Sequence, residues 1–234
     1  MDKADALLTA RPFESQHLGG PVFDCADPER ADDAVRQGRD AGAVLISCRT
    51  EGKGAALAAA GFRKVETLVT LERKMTGAID VPAGAPIVRA GDDGDVAACR
   101  RIAAAALRWD RFHADPRIDD GRADALKADW IENDLCGRAD LTLVAEADGQ
   151  VAGFCALLRR MDAAVIDLIA VDPALQGKGI GRALVIDALN RYRASVPAMR
   201  VGTQAGNPSS IVFYRSLGFG EKTRADTWHW TPGE

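Results

Sequence analysis

Residues 165–184 read VIDLIAVDPALQGKGIGRAL, which places Gly177, Gly179 and Gly181 between an apolar run and a helix-forming segment. Glycine loses more backbone entropy on folding than other residues, so three this closely spaced need a physical reason. The run at 165–171 suits a buried strand. Ile180, Leu184, Ala188 and Tyr192, with Val185 and Leu189, fall on one face of a helix predicted over about 179–194. The glycines therefore sit at a strand-to-helix turn. A helix start carries unsatisfied N–H groups and the positive end of the helix dipole. Bare backbone there can approach an anion such as a pyrophosphate. The spacing is neither that of G-x-x-x-x-G-K-[ST] nor that of G-x-G-x-x-G with a downstream acid. A tight turn with no ligand is the competing reading.

The rest of the chain gives that turn a setting. After a Gly-, Pro- and Ala-rich segment at 75–86, which reads as a linker, strands are expected at 87–89, 141–146, 151–158, 165–171 and 199–203. A further turn and strand are expected over 218–230. Helices are expected at 97–106, 123–133, 179–194 and 209–216. Asp148-Gly149 marks a two-residue hairpin. This alternation argues an α/β chain, with a mixed sheet covered by helices. The N-terminal third carries an echo of the C-terminal end. AVLISCRTEGKGAALAAAGFRKVETLVTLE (43–72) has the strand, loop, helix, Gly-Phe and strand order of MRVGTQAGNPSSIVFYRSLGFGEKTRADTWHW (199–230). VFDCADP (22–28) likewise faces LIAVDP (168–173), without a glycine-rich loop after its Asp-Pro. A degenerate internal repeat and a chance coincidence of layouts both stand open. The repeat gives the division 1–75, linker 76–86 and 87–234.

Bulk properties narrow the partners. The 234 residues carry a net charge of −4, which asks for neither nucleic acid nor a membrane surface. Apolar runs stay well short of a membrane span, and the first residues lack the pattern of a signal peptide. These features give the expectation of a cytoplasmic protein. Five scattered cysteines without C-x-x-C spacing suit reduced, mostly buried thiols, and three distant histidines give no metal-ligand spacing.

Strand, Val171-Asp172-Pro173, then Gln176-x-x-Gly179-x-Gly181 and an amphipathic helix together resemble the acetyl-CoA motif of the GNAT N-acetyltransferase superfamily. A second match follows at the expected distance in RVGTQAGNPSSIVFYRSLGF (200–219). The resemblance covers about 87–230 and implies the GNAT fold, with a smaller, degenerate GNAT-like N-terminal half. A narrower likeness, carried by DRFHADPRI (110–118), ADWIEN (128–133), RVGTQAGN and GFRKVETLVTLE, is to the dTDP-4-amino-sugar N-acetyltransferases of the dTDP-fucosamine type. It implies acetyl-CoA as co-substrate, no metal, and a small-molecule amine acceptor, with a homodimer left open.

Acetyl transfer needs a held thioester, a polarised carbonyl, a neutral amine and a proton for the leaving thiolate. The resemblance implies that backbone at Ile169, Ala170 and Val171 holds the pantetheine arm and polarises the carbonyl. It assigns the pyrophosphate to Gln176, Gly177, Lys178, Gly179, Ile180, Gly181 and Arg182, although Arg182 also reads as an ordinary solvated helix-start residue and Lys178 reads as one by preference. Asn207 matches a pantetheine contact and is also a good helix cap. Tyr214 is implied as the general acid, since a phenol can protonate a thiolate. Glu66 matches the family's proposed base, acting through water, and Asp167 is its rival. Arg111, Phe112 and His113 are candidates for the acceptor pocket: the charged pair for phosphates, the ring for stacking on a base. A non-catalytic acyl-CoA-binding sensor is the alternative class of function, and protein or other small amines are alternative acceptors.

Overall fold

The computed structural model describes residues 6–233. The first half contains β1 (Leu8–Ala10), α1 (Pro12–Leu18), β2 (Val22–Cys25), α2 (Ala31–Asp40), β3 (Leu45–Thr50), α3 (Gly54–Ala59) and β4 (Arg63–Lys74). No helix or strand occurs between Met75 and Pro86. Then come β5 (Ile87–Ala90), α4 (Val96–Ala106), α5 (Asp120–Asn133), β6 (Leu141–Ala147), β7 (Gln150–Arg159) and β8 (Ala164–Val171). The chain closes with α6 (Ile180–Tyr192), β9 (Ala198–Gln204), α7 (Pro208–Ser216) and β10 (Gly220–Trp230).

Local chemistry sets these boundaries. α5 starts three residues before the periodicity predicts, because Asp119 caps it by accepting from Arg122 N at 3.0 Å. Asp148 and Gly149 both have positive φ, 52° and 74°, as a type I′ hairpin turn requires. Every residue predicted for the apolar face of α6 is buried.

All the strands join one ten-stranded mixed sheet in the order β1-β2-β3-β10-β4-β9-β8-β7-β6-β5. The central six strands read as a palindrome if β2 is matched with β8, β3 with β9 and β10 with β4. In each match the first two strands run parallel to each other, and the two final strands, β4 and β10, pair antiparallel at the centre. α6 packs on one sheet face through Leu184, Val185 and Leu189 against Leu143, Cys155 and Ile166. α4 and α5 cover the opposite face through Ile102 and Ile131, against Val144, Phe154 and Leu168. α5 also reaches the first half, where Ala123 and Leu126 pack with Val22, Leu45 and Phe112. A truncation inside these layers, such as Leu184→Ala, costs about 2–5 kcal/mol.

One irregularity shapes the site. β8 pairs with β9 only at Ala164, Val165 and Ile166. Immediately beyond, the β7–β8 register shifts: Leu157 pairs Ile166 and Ala156 pairs Leu168, leaving Asp167 as the bulged residue. A bulge bends its strand and raises the local twist. β8 and β9 diverge there, and residues 167–171 of β8 keep an edge unpaired on the β9 side.

Candidate active site

The divergence opens a cleft of about 590 Å³ between β8 and α7, roofed by the start of α6. Ile169, Ala170, Val171, Gln176, Gly177, Gly179, Ile180, Gly181, Arg182, Asn207 and Tyr214 all line it. Lys178 is exposed and does not line it, which fits its solvated reading. Gly177 and Gly179 have φ of 79° and 81°, a left-handed region where a side chain is strained. Those two residues turn the chain so that Gly179 caps α6. The N–H groups of the first helical turn are left facing the cleft without intrahelical partners. Asn207 caps α7, its Oδ1 accepting from Ser210 N at 3.2 Å. Its wall position and its capping role therefore coexist.

Through the gap between the strands lies a second cavity of about 210 Å³. The two spaces share Ala106, Ile169, Asn207, Ser210 and Tyr214. Tyr214 is 3% exposed, and its hydroxyl makes no hydrogen bond among the described residues. Burial pushes its pKa well above the usual phenol range, so it stays protonated. The second cavity is further lined by Trp109, Asp110, Lys127 and Asp167. Asp167 accepts from Trp130 Nε1 at 2.9 Å and pairs with Arg138.

The other carboxylate candidate, Glu66, lies in a buried polar layer of the first half and lines neither space. Its Oε1 accepts from Thr227 Oγ1 at 3.1 Å, while Oε2 is buried without a hydrogen-bond partner. Lys64, a neighbour that could have paired with it, instead meets Asp226 at 2.8 Å.

The segment 110–113 departs from its expected role. Phe112 is 1% exposed and is packed under the Arg111 guanidinium, 4.7 Å from its ring, so it offers no face to a base. His113 has both ring nitrogens taken, by Asp110 at 2.7 Å and Asp124 at 3.0 Å. Arg111 donates to Ser47 Oγ at 3.1 Å and to Glu14 at 3.4 Å, which ties the segment to the first half rather than to a ligand. The aromatic ring that does face outward beside the cavity is Trp109, 58% exposed.

The sequence reading passed over Trp109 and Lys127. Lys127 had a signal: it shares the apolar α5 face of Ala123, Leu126 and Ile131, an odd place for a charge. Among the described residues no group of histidine, cysteine or carboxylate side chains is arranged to hold a metal. Among the described residues no helix is long and apolar enough to cross a membrane.

The site thus combines a sheet split at a bulge, a glycine-turned helix start over the split and a buried tyrosine at its throat. The model of the Acetyltransferase (GNAT) family matches residues 103–219, half of the chain. The chain belongs to the GNAT acetyltransferase family, a family of acyl-CoA-dependent N-acetyltransferases.

Among curated relatives, it is 29% identical over 144 residues to spore coat polysaccharide biosynthesis protein SpsD of Bacillus subtilis, covering 61% of this chain and 50% of SpsD. It is 30% identical over 178 residues to mycothiol acetyltransferase of Kineococcus radiotolerans, covering 73% of this chain and 55% of that protein. The chain thus spans about half the length of these relatives. A solved structure of a tandem GNAT protein from the clavulanic acid biosynthesis pathway superposes with a TM-score of 0.61 at 15% identity, covering 92% of this chain and 77% of that one. That likeness concerns the fold.

Proposed function

We propose that this chain transfers the acetyl group of acetyl-CoA to the primary amine of a small molecule, and that the acceptor is an amino sugar of the nucleotide-linked kind. The observation that carries the reading is Tyr214, which lines both the cleft and the smaller cavity behind it. The α6 N-terminus receives the pyrophosphate of the co-substrate, and the unpaired edge of β8 receives the pantetheine arm and directs N–H donors at the thioester carbonyl. The amine approaches from the smaller cavity. A carboxylate takes its proton, and the Tyr214 hydroxyl supplies one to the departing thiolate. Asp167 is our choice for that carboxylate, because it lines the amine's cavity and Glu66 does not. Glu66 then serves the polar layer behind it.

Two features support a sugar acceptor. Trp109 offers an exposed ring beside the cavity, a surface on which a sugar or base can lie. SpsD is named for polysaccharide biosynthesis. The first half we read as a degenerate GNAT-like half, 1–75, joined by 76–86 to the acetyltransferase half, 87–234. Buried thiols at Cys25, Cys48, Cys99 and Cys155 suit a reducing compartment, and we place the protein in the cytoplasm.

The test is release of free CoA by the purified protein from acetyl-CoA, against amines, peptides and nucleotide-linked amino sugars. Turnover confined to the amino-sugar nucleotides is expected. Turnover with peptides alone would overturn the acceptor assignment, and binding without any turnover would favour a sensor.

A further inference from the structure

Lys127 is a primary amine in an unusual place. It sits mid-helix on α5, 7% exposed, in the wall of the same cavity as Tyr214 and Asp167. Its Nζ stands 3.7 Å from Asp110 Oδ2, too far for a hydrogen bond, and makes none among the described residues. Asp110 is meanwhile occupied by His113 Nδ1 and by Phe112 N, each at 2.7 Å. The amine also faces two rings, Trp130 at 4.9 Å and Phe112 at 5.6 Å, and feels the charges of Arg111, Glu66 and Asp167. Rings and a shared carboxylate compensate only partly for lost water, and burial draws the lysine below the usual ammonium range. A neutral fraction of Nζ keeps its lone pair, which an attacking amine needs.

We infer that Lys127 is an internal acetyl acceptor: without an outside amine, the protein acetylates its own Lys127 from acetyl-CoA. The inference rests on the acetyl-transfer reading above. In the step, the Nζ lone pair adds to the thioester carbonyl carbon and the C–S bond breaks. The thiolate takes the Tyr214 proton and leaves as free CoA. Nζ gives up one proton to water, and Tyr214 regains one from water. One amide forms, one thioester is consumed and protons balance. The product is an uncharged acetyl-lysine whose added group occupies part of the 210 Å³ in which the acceptor amine would sit. Self-acetylation therefore blocks the acceptor cavity, and only when no acceptor fills it first.

The simple structural role, a buried cation steadying Asp110, makes the opposite forecast. Passive acetylation by acetyl-CoA favours exposed lysines, such as Lys53 and Lys222, whose side chains are 63% and 38% exposed. The experiment is incubation of the full wild-type chain with acetyl-CoA alone, followed by peptide mass spectrometry over time, beside calorimetry of CoA binding. Lys127 should gain acetyl at least about tenfold faster than Lys53 or Lys222, because it lines the same cavity as the Tyr214 acid. Tyr214→Phe should slow Lys127 by about 10²-fold or more and leave Lys53 and Lys222 unchanged. If CoA binds and Lys127 is no faster than the exposed lysines, or does not respond to Tyr214→Phe, the inference falls and the acetyl-transfer reading stands. If CoA does not bind, both fall.

Discussion

Asp167, the bulged residue of β8, accepts a hydrogen bond from Trp130 Nε1 of α5 at 2.9 Å, so the point where the sheet splits is fastened to the helix that covers it. The carboxylate is held in place and still lines the cavity. Asp167→Asn keeps the shape and an oxygen for Trp130 but loses the basic site. Turnover should fall about 10²–10⁴-fold with CoA affinity unchanged, as expected for loss of a general base. Glu66→Gln should cost less than about tenfold, an effect small beside that range. Steady-state rates for both variants, with CoA titrations, decide between the carboxylates. A larger loss in Glu66→Gln would reverse the assignment.

Tyr214 makes a cleaner test, because its hydroxyl has no partner among the described residues to lose. Tyr214→Phe removes the transferable proton and leaves the packing against Phe213 and Phe219. We expect a Tm close to wild type, CoA affinity within about twofold and turnover down about 10²–10⁴-fold. Wild-type turnover under conditions where chemistry limits would remove Tyr214 as the acid.

Gly177 and Gly179 have no atoms within 4 Å of where a Cβ would stand, so a substitution there is penalised by backbone conformation and not by crowding. Alanine at either site should cost about 1–2 kcal/mol, the left-handed penalty of an L-residue. Gly179→Glu adds negative charge beside the helix start and should weaken CoA binding more than Gly179→Ala at similar stability. Calorimetry with CoA, paired with urea unfolding, separates the two effects. Equal CoA affinity in the Ala and Glu variants would place the pyrophosphate elsewhere.

His113 bridges Asp110 and Asp124, and the hydrogen bond to Asp110 raises it above its ordinary value of 6.5 despite burial. A group raised in the folded state stabilises fully below its unfolded value and loses that contribution as pH rises through the folded value. The stability gap between wild type and His113→Gln should therefore be largest below pH 6.5 and shrink above it. Urea unfolding across that range is the measurement. A gap that grows with pH would mean the imidazole is neutral.

What the sequence disclosed follows period and punctuation. The cleft was legible because the α6 face repeats at helical spacing and its glycines announce the turn. The roles of Phe112 and His113 were not, because an aromatic and a histidine in a polar stretch look exposed until α5 and β3 close over them. β1 and α1 were passed over for a related reason: both are short, and a strand of three residues is set by its partner β2 rather than by its own pattern. The bulge at Asp167 had no sequence signal at all. It arises from the registers of β7 and β9 on either side.

The palindromic centre of the sheet makes one more forecast. If the first half is a degenerate copy, β2 and β3 stand where β8 and β9 stand in the other. β8 leaves most of its edge unpaired on the β9 side. β2 pairs with β3 over its whole length, from Val22 with Leu45 to Cys25 with Cys48, so no split opens for a pantetheine arm. The turn after β2 runs through Pro28–Arg30 into α2 with no positive-φ residue, so no bare helix start is presented. Leu57 of α3, in the place that Tyr214 holds on α7, is fully buried and has no proton to give. Closing the split, losing the loop and losing the acid each remove one requirement of acetyl transfer. Calorimetric titration with CoA should therefore give one site per chain, and Gly179→Glu should weaken that single site without exposing a second. Two sites per chain in the wild type, or a residual strong site in Gly179→Glu, would mean the first half still holds CoA.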